Sequence, residues 1–148
     1  MLSLKMVGMA KVTASLKKKY DKLTNKKPAI GRCVVQAEKW VQVNFRTQGK
    51  NVGGWKTLED STIYARRHGK KKNNSTQILQ DVGCLRDNWK HYWDNDKGFI
   101  QSQADYGIFH DKGGRGGRPP KRRILPKQAE MWPKFKEIFN NFIRESLK

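Results

Sequence analysis

Residues 28–46 read PAIGRCVVQAEKWVQVNFR, and this stretch decides the fold. Its apolar residues recur at intervals of three and four, which is the period of a helix with one buried face. They are Ile30, Val34, Ala37, Val41 and Phe45. Pro28 falls at an early helical position, and Thr24 and Asn25 before it are residue types that commonly cap a helix. We therefore predict a core helix near 28–46.

A second pattern, at residues 88–103, is typical of a β-hairpin. Trp89, His91 and Trp93 alternate with Lys90, Tyr92 and Asp94, which is the period of a strand with one buried face. Residues 95–98, NDKG, have the composition of a hairpin turn, and 99–103 supply the returning strand. The alternation predicts that Trp89 and Trp93 lie in the core or at a subunit interface. Stacking on single-stranded bases is the alternative.

The last element is a strongly apolar helix near 127–147. Its stripe consists of Met131, Trp132, Phe135, Ile138, Phe139, Phe142, Ile143 and Leu147. A helix with so wide an apolar face packs either on its own sheet or on a neighbouring subunit. Trp132, Phe135, Phe139 and Phe142 are the candidates for core packing, and any that remain exposed are candidates for the subunit interface.

Together these elements indicate an α+β fold, in which a small, mainly antiparallel sheet is packed by the helix near 28–46 and the C-terminal helix. The chain has 148 residues, a length that fits one domain, and we place that domain at 24–148. Residues 1–23 are rich in lysine and have a weak apolar rhythm. We predict that they form a basic N-terminal arm or helix.

The charge of the chain indicates an anionic partner. The sequence contains 32 Lys and Arg against 13 Asp and Glu, which gives a net charge of +19. Two segments, 66–76 and 112–123, concentrate bases among polar residues, glycines and prolines, so we predict a mobile basic loop and a flexible basic strap. Their candidate contacts to DNA or to an acidic partner are Arg66, Arg67, Lys70, Lys71, Lys72, Arg115, Arg118, Lys121, Arg122 and Arg123.

The sequence predicts no catalytic residue, metal site or cofactor. Cys33 and Cys84 lack the spacing of a zinc site, and the three histidines share no ligand spacing. His110 has no convergent partner for general-base catalysis, so we interpret it as an imidazole bonded to the backbone. No apolar run reaches the roughly 18 to 20 residues of a membrane span, so we expect a soluble, intracellular protein with no membrane partner.

The order of motifs along the chain resembles the virion morphogenesis, or tail completion, family of tailed bacteriophages. The resemblance covers roughly residues 24–148. It rests on Trp55, on Thr62 with Arg66, on 78–85 with Leu79, Gly83 and Leu85, on 106–113 with Tyr106, His110 and Gly113, and on Pro120 with Arg123-Ile124-Leu125. The chain departs from the family pattern at Cys84, at Gly107 and at Asp111.

What this resemblance implies is a structural subunit of the head-to-tail connector, as a neck, tail completion or tail terminator protein. The subunit would assemble as a hexameric or dodecameric ring around the channel through which double-stranded DNA passes. Its neighbours would be portal or head-closure proteins and tail proteins. Its location would be the head–tail interface of the virion, after assembly in the host cytoplasm.

Two alternatives belong to other classes. The first is a stand-alone basic nucleic-acid-binding protein that works as a monomer or dimer through non-specific phosphate contacts. The second is an endonuclease that depends on His110 and a divalent metal. In either ring or monomer, no element that would read bases is evident, so contacts to DNA would be independent of sequence.

Overall fold

The computed structural model describes residues 9–70 and 74–148, which form six α-helices, two short 3-10 helices and one two-stranded sheet. The helices are α1 (Met9–Thr24), α2 (Lys27–Arg46), α3 (Asp60–His68), α4 (Cys84–Asp87), α5 (Gly107–Lys112) and α6 (Gln128–Leu147). The strands are β1 (Trp89–Trp93) and β2 (Gly98–Ser102). The predicted α+β class, with a small antiparallel sheet packed against helices that include a C-terminal helix, is confirmed.

Helix α2 is the centre of the molecule, as its apolar period predicts. Ala29, Val34, Val41 and Phe45 are buried along one face, and the hairpin and α6 both pack against the helix. No side chain caps its first turn from the preceding residues. Instead the Lys27 N–H donates to Asn95 Oδ1 at 2.9 Å, so the hairpin turn satisfies the helix end that we had expected Thr24 and Asn25 to cap.

The hairpin lies close against α2 because a glycine begins its second strand. The antiparallel register runs from Trp89 opposite Ser102 to Trp93 opposite Gly98. A Cβ atom on Gly98 would lie 2.5 Å from Val34 Cγ2, so only glycine lets the strand approach the helix this closely. Trp89 and Trp93 are both half-buried, whereas the three residues between them are exposed. Trp89 donates its indole N–H to Leu85 O at 3.0 Å.

The core lies where α2 meets three irregular segments and the short helix α4. It consists of Val41, Phe45, Trp55, Ile78, Leu85 and Ile124. Phe45 and Trp55 form an edge-to-face pair with ring centroids 5.3 Å apart, a geometry that favours aromatic pairs. The centre of the fold is therefore closed by loop residues, which hydrophobic periodicity does not reveal.

Helix α6 buries part of its predicted stripe. Met131 and Phe142 are buried, Phe135 and Phe139 are half-buried, and Trp132 is 60% exposed. Trp132 is therefore not a core residue, and its place at a subunit interface stays a prediction. Helix α6 packs against α2 and α1, and Arg32 pairs with Glu145 at 3.0 Å across the α2–α6 contact.

The basic N-terminal segment is a helix over Met9–Thr24. It contacts α6, but its apolar residues Val12, Leu16 and Tyr20 are each more than half exposed. Among residues 9–70 and 74–148, no helix has the length and apolar character needed to cross a membrane.

Candidate functional site

Most of the motif residues line one cleft, which we call the motif cleft. It has a volume of about 410 Å³ and lies between α3, the segment 79–85, α5 and the end of the strap at 119–122. Among its lining residues are Thr62, Arg66, Leu79, Gly83, Leu85, Tyr106, His110, Pro120 and Arg122. Residues that are up to 60 positions apart in the sequence therefore share one surface, and no single element supplies it.

Arg66 is fixed on one wall of the motif cleft. Its guanidinium donates to Ser75 O at 2.9 Å and to Gln77 O at 2.8 Å, and it lies 3.5 Å from Asp81 Oδ1. The side chain is only 10% exposed. The prediction that Arg66 belongs to a mobile loop is wrong, because α3 extends through His68 and these carbonyls order the arginine.

The remaining bases of the predicted loop 66–76 differ in their environment. Arg67 and Lys70 are exposed, as contacts to a polyanion require. Lys71 and Lys72 lie outside the residues that the structure describes. Residues 74–77 continue as irregular chain and supply the carbonyls that Arg66 binds.

Arg122 is buried in the opposite wall, with 6% of the residue exposed. Its Nε and Nη2 atoms each donate to Lys56 O at 3.0 Å, and Nη2 also lies 3.3 Å from Thr57 O. Burial, followed by the nearby charge of Arg66, lowers the pKa of the Arg122 guanidinium. The prediction that Arg122 projects from a flexible strap is wrong, because its side chain bridges the strap to the segment after Trp55.

Arg123 does not project either. It makes two hydrogen bonds to the Glu130 carboxylate, at 2.9 and 2.6 Å, and its guanidinium lies 5.7 Å from the centre of the Trp40 ring. The Glu130 carboxylate also accepts the Lys127 N–H at 2.8 Å, at the start of α6. Arg123 therefore ties the strap to the first turn of the C-terminal helix, which is a structural role.

The chain after Arg122 is anchored in the core through its backbone. The Arg123 carbonyl accepts a bond from Trp55 Nε1 at 3.0 Å and another from Asn44 Nδ2 at 2.9 Å. Asn44 is fully buried on the apolar face of α2. Sequence reasoning missed it, although a polar residue at a buried position next to Phe45 is a signal of such an anchor.

Asp111, one of the departures from the family pattern, also serves this anchor. Its Oδ1 atom accepts the Ile124 N–H at 2.6 Å and the Leu125 N–H at 3.1 Å. Ile124 is 2% exposed, whereas Leu125 is 40% exposed. The carboxylate satisfies two backbone donors at the point where the chain enters the core, so its role in the molecule is structural.

His110 lies in α5 and lines the motif cleft. Its Nδ1 atom is buried and has no hydrogen-bond partner in residues 9–70 and 74–148. The predicted bond of the imidazole to the backbone is therefore not made by Nδ1. The backbone bond at this position is the Arg122 N–H donating to the His110 carbonyl, at 2.7 Å. Burial, followed by the charge of Arg122, lowers the pKa of the imidazole, which favours its neutral form.

The other motif residues of the cleft are structural. Leu85 is 1% exposed, and Gly107 lies against it so closely that a Cβ atom there would sit 2.8 Å from Leu85 Cδ1. A larger residue at position 107 would therefore require Leu85 to move. Tyr106 is 46% exposed, and its ring meets His110 edge-on at 6.2 Å between centroids.

The strap, residues 112–123, presents its exposed bases on a closed loop. The Gly114 N–H donates to Pro119 O at 2.9 Å, and Gly113 has a φ of 88°, which favours glycine. Arg115, Arg118 and Lys121 are exposed around this loop. Of the five strap bases that we predicted to project, these three do.

The described residues contain no cluster of three or more His, Cys, Asp or Glu side chains that would hold a metal ion. Cys33 is buried and Cys84 is exposed, both as free thiols, and burial raises the pKa of Cys33 to about 11. The site thus combines two fixed arginines, a histidine whose pKa is lowered, and three exposed strap bases. No family model matches this chain, and no curated protein or solved structure matches it.

Proposed function

We propose that the chain is a structural, non-catalytic subunit of a phage head-to-tail connector ring that surrounds the DNA channel. The observation that supports it is the convergence of Thr62, Arg66, the 79–85 segment, Tyr106 and His110 on the motif cleft. The resemblance to the tail completion family rests on the order of these motifs along the chain. Because the motif residues build one surface, that order has a structural explanation.

The distribution of apolar surface supports assembly into a ring. Trp132 is 60% exposed, Phe109 is 58% exposed and Ile108 is 53% exposed. Large apolar side chains that a monomer leaves in water are typical of protein interfaces. We assign them to contacts between copies or with neighbouring portal, head-closure and tail proteins.

The exposed bases support a position beside polyanionic DNA. Arg67, Lys70, Arg115, Arg118 and Lys121 are exposed, so they are free to approach phosphates. Copies of a +19 chain in a closed ring repel one another unless an anion neutralises them. Genomic DNA in the channel supplies that charge without sequence-specific contacts.

Imaging of intact particles tests the proposal. Virions that carry an epitope-tagged chain are labelled with antibody and examined by electron microscopy, with a tagged major capsid protein as the control. We expect label at the head–tail joint of each particle. Label distributed over the head or tail shaft, or its absence from particles, would refute the proposal.

The same exposed bases favour one rival, a stand-alone nucleic-acid-binding protein. Size-exclusion chromatography with light scattering at about 0.5 M salt, which shortens the range of charge repulsion, separates the two. Ring-sized species support the connector subunit. A monomer that binds short duplex DNA tightly at low salt, in a chain absent from virions, would support the rival.

A further inference from the structure

The motif cleft contains a buried positive charge without an ionic partner. Arg122 is 6% exposed, and its guanidinium donates to two main-chain carbonyls, which carry no net charge. In the described part of the chain no carboxylate forms an ion pair with it. Because a buried charge is costly unless a counter-charge lies beside it, this site favours an anion from outside the chain.

The rest of the cleft adds to this preference. Arg66, on the facing wall, is a second cation. Its charge repels that of Arg122. Two acids also line the cleft, and each is already paired with a base: Asp81 lies 3.5 Å from Arg66, and Glu59 lies 3.1 Å from Lys56. The charge of Glu59 acts favourably on Arg122, but the two side chains form no ion pair in the described residues. The buried Nδ1 of His110 has no partner in residues 9–70 and 74–148, and in one tautomer it is a hydrogen-bond donor.

Apolar side chains form part of the cleft walls. Leu58, Leu79, Val82, Pro119 and Pro120 line it around the charged groups. Pockets that combine apolar side chains with a few convergent polar groups bind ligands of matching character. Such a ligand has one charged group flanked by apolar groups. A peptide segment with one acidic side chain between apolar residues has this character.

We propose that the motif cleft binds an acidic side chain of a partner protein, flanked by apolar residues, with the carboxylate at Arg122 and His110. Duplex DNA fits this site less well, because its phosphates lie on a broad, rigid cylinder and Arg122 is almost closed to solvent. The exposed strap bases Arg115, Arg118 and Lys121 are available to phosphates instead.

This inference goes beyond the connector function and does not depend on it. A chain that proved to be monomeric and absent from virions would remove the proposed ring and leave the cleft chemistry intact. Conversely, a cleft that binds no carboxylate would leave the ring proposal untouched, because ring contacts are assigned to other surfaces.

Nuclear magnetic resonance of the full chain tests it with two probe peptides at about 0.15 M salt. One is acetyl-leucyl-glutamyl-leucinamide, and the matched control replaces glutamate with glutamine. We expect the acidic peptide to shift the side-chain signals of His110 and Arg122, and to bind about tenfold more tightly than its amide analogue, as expected for charge-assisted hydrogen bonds. Equal binding of the two peptides would overturn the inference.

Two variants locate the binding energy. Arg122→Gln removes the buried charge, and Lys121→Gln removes the same charge from the exposed neighbouring position. We expect Arg122→Gln to abolish the tenfold preference for the acidic peptide and Lys121→Gln to retain it. An equal loss in both variants would show that the peptide responds only to net charge, which would overturn the inference.

A third variant covers the case in which Arg122→Gln fails to fold, since the Lys56 and Thr57 carbonyls would lose their donor. His110→Phe removes the unpartnered ring nitrogen and keeps an aromatic ring of similar size. We expect it to fold and to reduce the preference for the acidic peptide several-fold. An unchanged preference would overturn the role of His110, and a 12-base-pair duplex that shifts the His110 and Arg122 side-chain signals would overturn the assignment to a protein carboxylate.

Discussion

Arg118 and Arg122 lie four residues apart on the same strap, yet their environments are opposite. Arg118 is exposed on the loop closed by Gly114 and Pro119, whereas Arg122 is 6% exposed and bonded to the Lys56 and Thr57 carbonyls. Both stand in a run of glycines, prolines and bases. Composition therefore does not separate a surface charge from a structural one.

The difference comes from the residues that follow each arginine. After Arg118 come two prolines, which give no backbone N–H and keep the chain on the surface. After Arg122 the chain enters the core at Ile124, and Trp55, Asn44 and Asp111 bind its backbone. Arg122 is fixed because the backbone next to it is buried and hydrogen-bonded. Whether a base of the strap is structural or exposed therefore depends on how the neighbouring backbone is anchored.

The largest expected effect is removal of the anchor at Trp55. Trp55→Ala deletes a 6% exposed ring that packs edge-on against Phe45 and donates to the Arg123 carbonyl. We expect a loss of about 3–5 kcal/mol in the free energy of unfolding, measured by urea denaturation. The matched control, Trp132→Ala, removes an exposed tryptophan and should change stability by about 0.5 kcal/mol or less. Similar losses in the two variants would contradict the anchor.

A smaller effect is expected at Asn44. Asn44→Ala removes one of the two side-chain donors to the Arg123 carbonyl, which keeps its bond from Trp55 Nε1. We expect a loss of about 0.5–1.5 kcal/mol, the usual net contribution of one hydrogen bond. Asn141→Ala, at an exposed position of α6, is the control and should be close to neutral. Hydrogen exchange should show faster exchange at 122–125 in Asn44→Ala alone; unchanged protection there would argue against the anchor.

The third effect is smaller and depends on pH. Hydrogen bonds from Arg123, together with the Lys127 N–H, lower the pKa of Glu130 below its ordinary value of 4.5. A lowered folded-state pKa stabilises the protein above about pH 4.5, and this stabilisation is lost as the pH falls further. Glu130→Gln should therefore destabilise the protein by about 1 kcal/mol or less at pH 7, and the difference should shrink as the pH falls below about 4.5.

Denaturation curves at pH 7, 4.5 and 3 check this expectation. Glu137→Gln serves as the control, because Glu137 pairs with Lys134 on the exposed face of α6 and does not contact the strap in the described residues. A Glu130→Gln deficit that stays constant from pH 7 to pH 3 would show that the Arg123 pair does not link the strap to α6 through charge.

Periodic elements of the fold were predictable from the sequence, and the loops that close its core were not. Helix α2, the hairpin and α6 each show a period that burial of one face imposes, and all three are confirmed within a few residues. Trp55, Ile78 and Ile124 complete the core from irregular segments. Their burial depends on contacts far apart in the sequence, and no local pattern encodes them.

The candidate site was predictable in part for the same reason. The motif order identified Thr62, Leu79, Gly83 and His110, and these residues do share one cleft. Charge alone suggested that Arg66, Arg122 and Arg123 face solvent, and it was wrong for all three because each guanidinium finds carbonyl or carboxylate acceptors. Side-chain partners are set by the tertiary fold, so charge counts give only an upper limit to the exposed bases.

The smallest expected effect on stability is at the exposed bases of the strap. The triple variant Arg115→Gln, Arg118→Gln, Lys121→Gln removes three exposed charges without touching the anchor, so unfolding should change by about 0.5 kcal/mol or less. If these bases contact phosphates, binding to duplex DNA should weaken, and the slope of log K against log salt should fall by about one per charge. Fluorescence anisotropy over a salt series measures both. An unchanged slope would show that the strap does not contact DNA, whereas a large loss of stability would show that its bases are as fixed as Arg122.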